Sequence, residues 1–292
     1  MRKDASSRSI PMVSDEGGDG SAEAGDPEAP LAPGPLLRIG SGELQLEIAP
    51  QAGGRIAQIR YQGVEQLVGP DDGFPAAIAW GSYPMLPWAG RIRDGRFEFA
   101  GRQWQLPANL GGHAIHGVSM WLPWQVDAHA ADRIELSLAL PRDRRWPFGG
   151  SALQRIEVGP RTLAMTLSVG AGDQPMPVAF GWHPWLRKPE RIEFHPSAIY
   201  PRDGHGIATM PPVAPTPGPW DDCFLNTQEV IVHRHGQRLR LSSDCDHWVV
   251  YDETAHSTCI EPQTGPADAF NIAPRVLAPG QSMQAWFRME WD

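Results

Sequence analysis

No stretch of this chain approaches the roughly 18 consecutive apolar residues of a membrane span, so no partner membrane is expected. Cysteine is scarce: Cys223, Cys245 and Cys259 make an odd number without C-x-x-C spacing, which excludes a disulfide framework and a zinc ribbon. A reducing cytoplasm is the expected compartment. There is no basic block interleaved with aromatics, and 25 basic against 34 acidic residues give a net charge of −9, which argues against nucleic acid. After Met1-Arg2-Lys3 the apolar stretch of a secretory signal is missing. No capped window carries sustained i, i+3, i+4, i+7 apolar spacing, which argues against alternating β-α units and a parallel sheet. No repeat of fixed period points to a propeller or solenoid.

What the chain has in quantity is punctuation, with 31 Gly and 30 Pro in 292 residues. From Asp4 to Pro35 it has no aromatic residue and reads as low-complexity, a composition that cannot offset the entropy of ordering. Residues 1–35 are therefore expected to be a disordered tail, carrying −4 of the net charge, and residues 36–292 one domain. Alternation then begins: Leu44, Leu46 and Ile48; Ile134, Leu136, Leu138 and Leu140; Leu163, Met165, Leu167 and Val169. These predict half-buried strands, as do Val230 to His233, Leu239 to Ser242, Trp248 to Tyr251 and Ala285 to Trp291. Strand following strand predicts an all-β fold, a large antiparallel β-sandwich.

Five polar clusters stand in otherwise apolar or turn-like sequence: Gly90-Arg91-Ile92, His113 to Gly117, Gly181 to Trp185, Trp220 to Phe224, and Glu261-Pro262-Gln263 with Asp268 downstream. In this order they resemble the aldose 1-epimerase (galactose mutarotase) family, from about Leu36 to Trp291. The matching pieces are Arg91-Ile92 followed by Gly95-Arg96-Phe97 and Leu106 to Asn109, His116-Gly117, His183-Pro184-Trp185, Asp221 through Phe224, and Glu261 with Gln263, Pro266 and Asp268. Gly90, Trp185 and Leu186 depart from the family's usual Asn and Tyr-Phe. The resemblance implies a galactose mutarotase-like supersandwich and cofactor-free, metal-free interconversion of the α and β anomers of a free aldohexose, by a monomer or homodimer in carbohydrate metabolism.

That chemistry needs one base for the C1 hydroxyl and one acid for the ring oxygen. Glu261 suits the base as an ionised carboxylate of modestly raised pKa, and His183 the acid, because a nearby carboxylate favours imidazolium. The resemblance assigns them the same roles and places His116 as a second histidine at the sugar oxygens. Arg91 and Asp221 are expected at substrate hydroxyls, with Asp222 one register away, and Gln263 as a polar wall. Asn109 is either a turn residue or a substrate contact. Trp88, Trp182 and Trp185 are candidates for a flat face under the sugar ring or for core.

Three alternatives have sequence features of their own. A hexose-6-phosphate 1-epimerase would use cations such as Arg93, Arg96, Arg142, Arg144 or Arg145. A glycoside hydrolase would need only paired carboxylates. A non-catalytic carbohydrate-binding β-sandwich could keep the fold, though Glu261 and His183 together speak against it. His233-Arg234-His235 lacks a following carboxylate and reads as exposed strand rather than metal site.

Overall fold

The computed structural model describes residues 25–292. The expected tail lies outside the described residues as far as residue 24, and for residues 25–35 the expectation is corrected. Leu31 N–H donates to Pro75 O, Ala77 N–H to Ala29 O and Ile78 N–H to Pro27 O, each at 2.9 Å. Pro27 is buried and Leu31 packs against Ala49, Ala52, Ala57 and Trp80. Three backbone bonds and two apolar side chains hold this segment, and composition averaged over 35 residues hides them.

Two antiparallel sheets make the body of the fold. The ten-stranded sheet runs Leu37–Ser41, Leu44–Ala49, Arg55–Tyr61, Ser82–Met85, Gly181–Arg187, Ser257–Gln263, His247–Tyr251, Asp221–Leu225 and Ala198–Ile199, with Val64–Glu65 beside Arg55–Tyr61. The eight-stranded sheet runs Gln125–His129, Arg133–Ala139, Ser151–Val158, Thr162–Gly170, Ser282–Trp291, Gln237–Ser243, Val230–Arg234 and Arg191–Glu193. The all-β antiparallel sandwich expected from the strand pattern is what the chain forms.

The predicted alternation is plainest in the eight-stranded sheet, where Thr162–Gly170 and Ser151–Val158 alternate buried and less buried positions along their length. Their inward side chains meet those of the ten-stranded sheet in one core cluster, with Phe287 at 5.8 Å from Trp182 and 6.2 Å from Trp248 between ring centroids. Each large apolar side chain fully buried there contributes roughly 1.5–3 kcal/mol. Gly181–Arg187 and Ser257–Gln263 behave differently, being buried at nearly every position. One face of these strands belongs to the core, and the other is the floor of a cleft.

Arg55 sits behind that floor, fully buried. Its guanidinium donates to Ala52 O at 2.7 Å, Ala77 O at 2.8 Å, Trp80 O at 2.9 Å and Met120 O at 2.7 Å, and lies over the rings of Trp80 and Tyr83. Burial pulls its pKa down to about 9, which leaves the cation charged at neutral pH.

Candidate active site

Strand register decides which side chains meet on the floor. Gly181 faces Gln263 and Trp185 faces Cys259, which sets His183 opposite Glu261; Tyr83 flanks His183 on one side and Val249 flanks Glu261 on the other. The neighbouring row is Trp185, Cys259, Tyr251 and Asp221. Because side chains alternate across a strand, the intervening Trp182, Ile260, Trp248 and Phe224 point the other way and are buried. Motifs scattered over 80 residues of sequence thus converge on one face.

Glu261 and His183 form the centre. His183 Nε2 lies 3.2 Å from Glu261 Oε1, and Gln263 Nε2 donates to Glu261 Oε2 at 3.1 Å. His183 is stacked between Tyr83 at 4.8 Å and Trp185 at 5.3 Å. Desolvation pushes the Glu261 carboxyl well above the usual carboxylate range, aided by the negative charge of Asp221 and opposed by the Gln263 hydrogen bond and Arg91. Burial lowers His183 to about 3, against a backbone hydrogen bond that favours the cation. Burial thus works against the charged form of both groups, away from the imidazolium and ionised carboxylate that the sequence reading assigns to them.

His116 arrives on a separate two-stranded ladder, in which Arg91–Ile92 pairs with Ala114–Ile115. The turn takes φ of +57° at His116 and +73° at Gly117. His116 N–H donates to Gly90 O at 3.0 Å, and Gly90 N–H donates back to His116 Nδ1 at 3.2 Å. An accepting Nδ1 leaves the ring proton on Nε2, so His116 is a neutral donor, and burial with the nearby His183 and Arg91 holds its pKa well below 6.5. Its ring stands 5.0 Å from His183 at 88°. Gly90 is required here, because a Cβ would come within 2.9 Å of Ala267 Cβ.

A cleft of about 340 Å³ opens over this floor, lined among others by Arg91, His116, His183, Trp185, Asp221, Glu261 and Gln263. Arg91 has no ion-pair partner within 4 Å among the described residues and acts on Asp221 and Glu261 through its charge. Asp268 holds it in place: its N–H donates to Arg91 O at 2.7 Å and its Oδ1 accepts Arg93 N–H at 3.0 Å. Burial raises Asp221, which takes a 2.6 Å bond from Arg202 Nη1; Asp222 takes Arg202 Nε at 3.0 Å. Strand alternation sets Asp221 and Cys223 on the cleft face, and Asp222 also reaches the lining, beside Arg202.

The remaining candidates lie elsewhere. Asn109 does not line the cleft; its Oδ1 accepts Ile115 N–H at 2.9 Å and its Nδ2 donates to Gly25 O at 3.4 Å, which makes it a loop brace. Trp88 packs with Trp146 and Phe270, and Trp182 with Phe287, so of the three tryptophans Trp185 alone faces the cleft. None of the five arginines proposed for a phosphate lines it; Arg93 pairs with Asp203, Arg142 with Asp173 and Arg145 with Asp143. His233 is a strand residue bonded to Glu193 at 2.7 Å, whereas His235 sits in the following turn, so the two do not share a strand face as expected. Sequence reasoning missed Arg202, Tyr251, Glu253 and Glu28, which also line the cleft. They stand in turns or at strand ends, where no periodicity marks them.

His183, Cys259 and Glu261 bring ligand atoms within 4.8 Å of one another, a nitrogen, sulfur and oxygen set of the kind that holds zinc. An ion there would occupy the atoms that an acid/base pair needs free.

A family model described as Aldose 1-epimerase matches residues 35–290. An uncharacterised protein of Escherichia coli strain K12, YphB, is 28% identical over 155 residues, which are 52% of this chain and 51% of that protein. The chain thus spans about half the length of the curated relatives it matches. Among solved structures, a galactose mutarotase-like protein from Clostridium acetobutylicum superposes with a TM-score of 0.79 at 17% identity, over 88% of this chain and 95% of that one. A GalM/aldose epimerase homologue from C. elegans does so with a TM-score of 0.77 at 17% identity, over 88% of this chain and 98% of that one. These two likenesses concern the fold.

Proposed function

From the premise that the chain belongs to the aldose 1-epimerase family, isomerase-type enzymes in general, we propose that it interconverts the α and β anomers of a free aldohexose or similar sugar. The observation that carries this reading is the buried His183–Glu261 pair, 3.2 Å apart on the floor of the cleft. In the reacting complex Glu261 takes the C1 hydroxyl proton while His183 gives a proton to the ring oxygen. The C1–O5 bond breaks, the open-chain aldehyde turns its face, and reclosure runs the two transfers backwards. Sugar hydroxyls donating to the carboxylate favour its ionised form, and an ionised Glu261 at 3.2 Å favours the imidazolium of His183, which sets the pair for the two transfers. His116 Nε2–H and the Arg91 guanidinium supply donors, Asp221 and Gln263 acceptors, and Trp185 an apolar wall.

A phosphorylated substrate fits less well. Five carboxylates, Glu28, Asp221, Asp222, Glu253 and Glu261, line the cleft against two cations, Arg91 and Arg202. Arg202 already clamps Asp221 and Asp222, which leaves Arg91 alone to meet a dianion. Among the described residues no helix is long and apolar enough to cross a membrane, and Cys223, Cys245 and Cys259 are free and buried, which supports a reducing compartment such as cytoplasm.

The test is polarimetry on freshly dissolved α-D-glucose and α-D-galactose. Glu261→Gln, which keeps the shape and the Gln263 contact, is expected to lower kcat by about 10²–10⁴-fold with sugar binding largely kept. Wild-type rates in that variant would overturn the assignment, and no acceleration of any aldose by the parent would overturn the activity.

A further inference from the structure

One residue lining the cleft, Glu28, comes from outside the stretch matched by the family. Residues 25–34 precede the matched span of 35–290, yet they are laid along residues 75–78 through the three backbone bonds and the Pro30–Ala76 bridge. The segment is held at both ends. Leu31 is packed against Trp80, and Gly25 lies so close to Trp121 that a Cβ would fall 2.3 Å from the indole. Between these anchors Asp26 Oδ1 accepts Glu28 N–H at 2.9 Å and Asp26 O accepts Ala29 N–H at 3.2 Å, a tight turn with Glu28 at its crest. Glu28 lines the cleft beside Ile78, which the strap itself holds by its amide. The Glu28 carboxylate is exposed and has no ion-pair partner among the described residues.

We propose that this strap completes the substrate site and that Glu28 is a specificity-determining residue, accepting hydrogen bonds from hydroxyls of the bound sugar away from the reacting carbon. The inference rests on the sugar-epimerase reading above. An unpaired carboxylate with two oxygens suits neighbouring hydroxyls of a neutral polyol and repels a ligand carrying phosphate, sulfonate or carboxylate. Glu28 is not part of the proton-transfer pair, so it acts on binding rather than on chemistry.

The experiment uses the full chain and the variants Glu28→Gln, Glu28→Ala and Gly25→Val, the last displacing the strap from Trp121, and Glu28 with it, without changing the Glu28 side chain itself. Steady-state polarimetry on glucose and galactose separates KM from kcat, and calorimetric titration gives sugar affinity independently of turnover. Expected for Glu28→Ala is a KM raised about tenfold or more, with kcat within about twofold and an unchanged thermal midpoint. Gly25→Val should show the same KM effect, and Glu28→Gln a smaller one, together with a reduced penalty for glucose 6-phosphate relative to glucose. An active parent whose KM is the same in Glu28→Ala on each sugar overturns the strap's role and leaves the epimerase reading standing. A parent that binds sugar without turning it over, with binding weakened in Glu28→Ala, upholds the strap and ends the epimerase reading. Neither binding nor turnover overturns both.

Discussion

At the scale of single residues, the site is governed by what burial does to two ionisable groups 3.2 Å apart. Folded, Glu261 holds its proton well above the ordinary carboxylate range and His183 takes one only near pH 3. Unfolded, they titrate near about 4.3 and 6.5. Between those values the unfolded chain favours a proton on the histidine and the folded chain one on the glutamate, so the two contributions to the pH dependence of stability oppose each other. Removing either partner exposes the other. In Glu261→Gln the unfolded state binds more protons below pH 6.5, so stability is expected to fall as pH drops from 6.5 toward 3. In His183→Asn the folded state keeps the Glu261 proton that the unfolded chain loses, so stability is expected to fall as pH rises above about 4.3. The limiting slope in each case is about 1.4 kcal/mol per pH unit. Urea unfolding of the three proteins between pH 5 and 6.5 checks this; parallel pH slopes would show that the two protons are not coupled through the fold as described.

At the scale of elements, the site depends on a turn and on two strands that are buried on both faces. The His116-Gly117 turn passes so close to the backbone just past Ser82–Met85 that a Cβ on Gly117 would lie 1.8 Å from Leu86 O, where the neighbour is backbone and cannot swing aside. Gly117→Ala is expected to cost several kcal/mol, strain at φ +73° plus the overlap, and to lower kcat more than tenfold by moving His116 away from His183. Gly63→Ala is the control: φ is +76° but nothing lies within 4 Å of the added carbon, so it should cost only about 1–2 kcal/mol and leave kcat alone. Equal effects of the two on thermal midpoint and kcat would remove the steric explanation. The same distinction shows what sequence reveals. Leu163 to Val169 and Ala285 to Trp291, within the strands Thr162–Gly170 and Ser282–Trp291, were legible because one face is core and the other is wetter, which leaves a period of two. Gly181–Arg187 and Ser257–Gln263 have core on one face and the cleft floor on the other, so His183 and Glu261 stand in runs without alternation and were found through their motifs. Arg202 and Glu28 had neither signal and became visible only in three dimensions.

At the scale of the whole molecule, the cleft floor, the loop carrying the strap and the short turn at Met120 are tied together by one buried cation. Arg55 reaches Ala52, Ala77, Trp80 and Met120 through four hydrogen bonds, and its guanidinium lies 4.8 Å from the ring of Tyr83, which in turn stacks on His183. Among the described residues no acidic side chain is bonded to it, and carbonyl dipoles and ring faces offset its charge. Such an arrangement tolerates little change, because each carbonyl orphaned in the interior costs about 1–3 kcal/mol. Arg55→Leu leaves four of them, a loss comparable with the roughly 5–15 kcal/mol that holds an ordinary domain together. The variant is expected to unfold at a much lower urea concentration than the parent, or to fail to fold. Arg55→Lys has three donors for the four acceptors and no planar face for Trp80 and Tyr83, so it should recover part of the stability. Where it folds, a less firmly seated Tyr83 should lower kcat through His183. A urea midpoint for Arg55→Leu equal to that of the parent would show that packing around the cation, rather than its four bonds, joins the strap's anchor to the sheet.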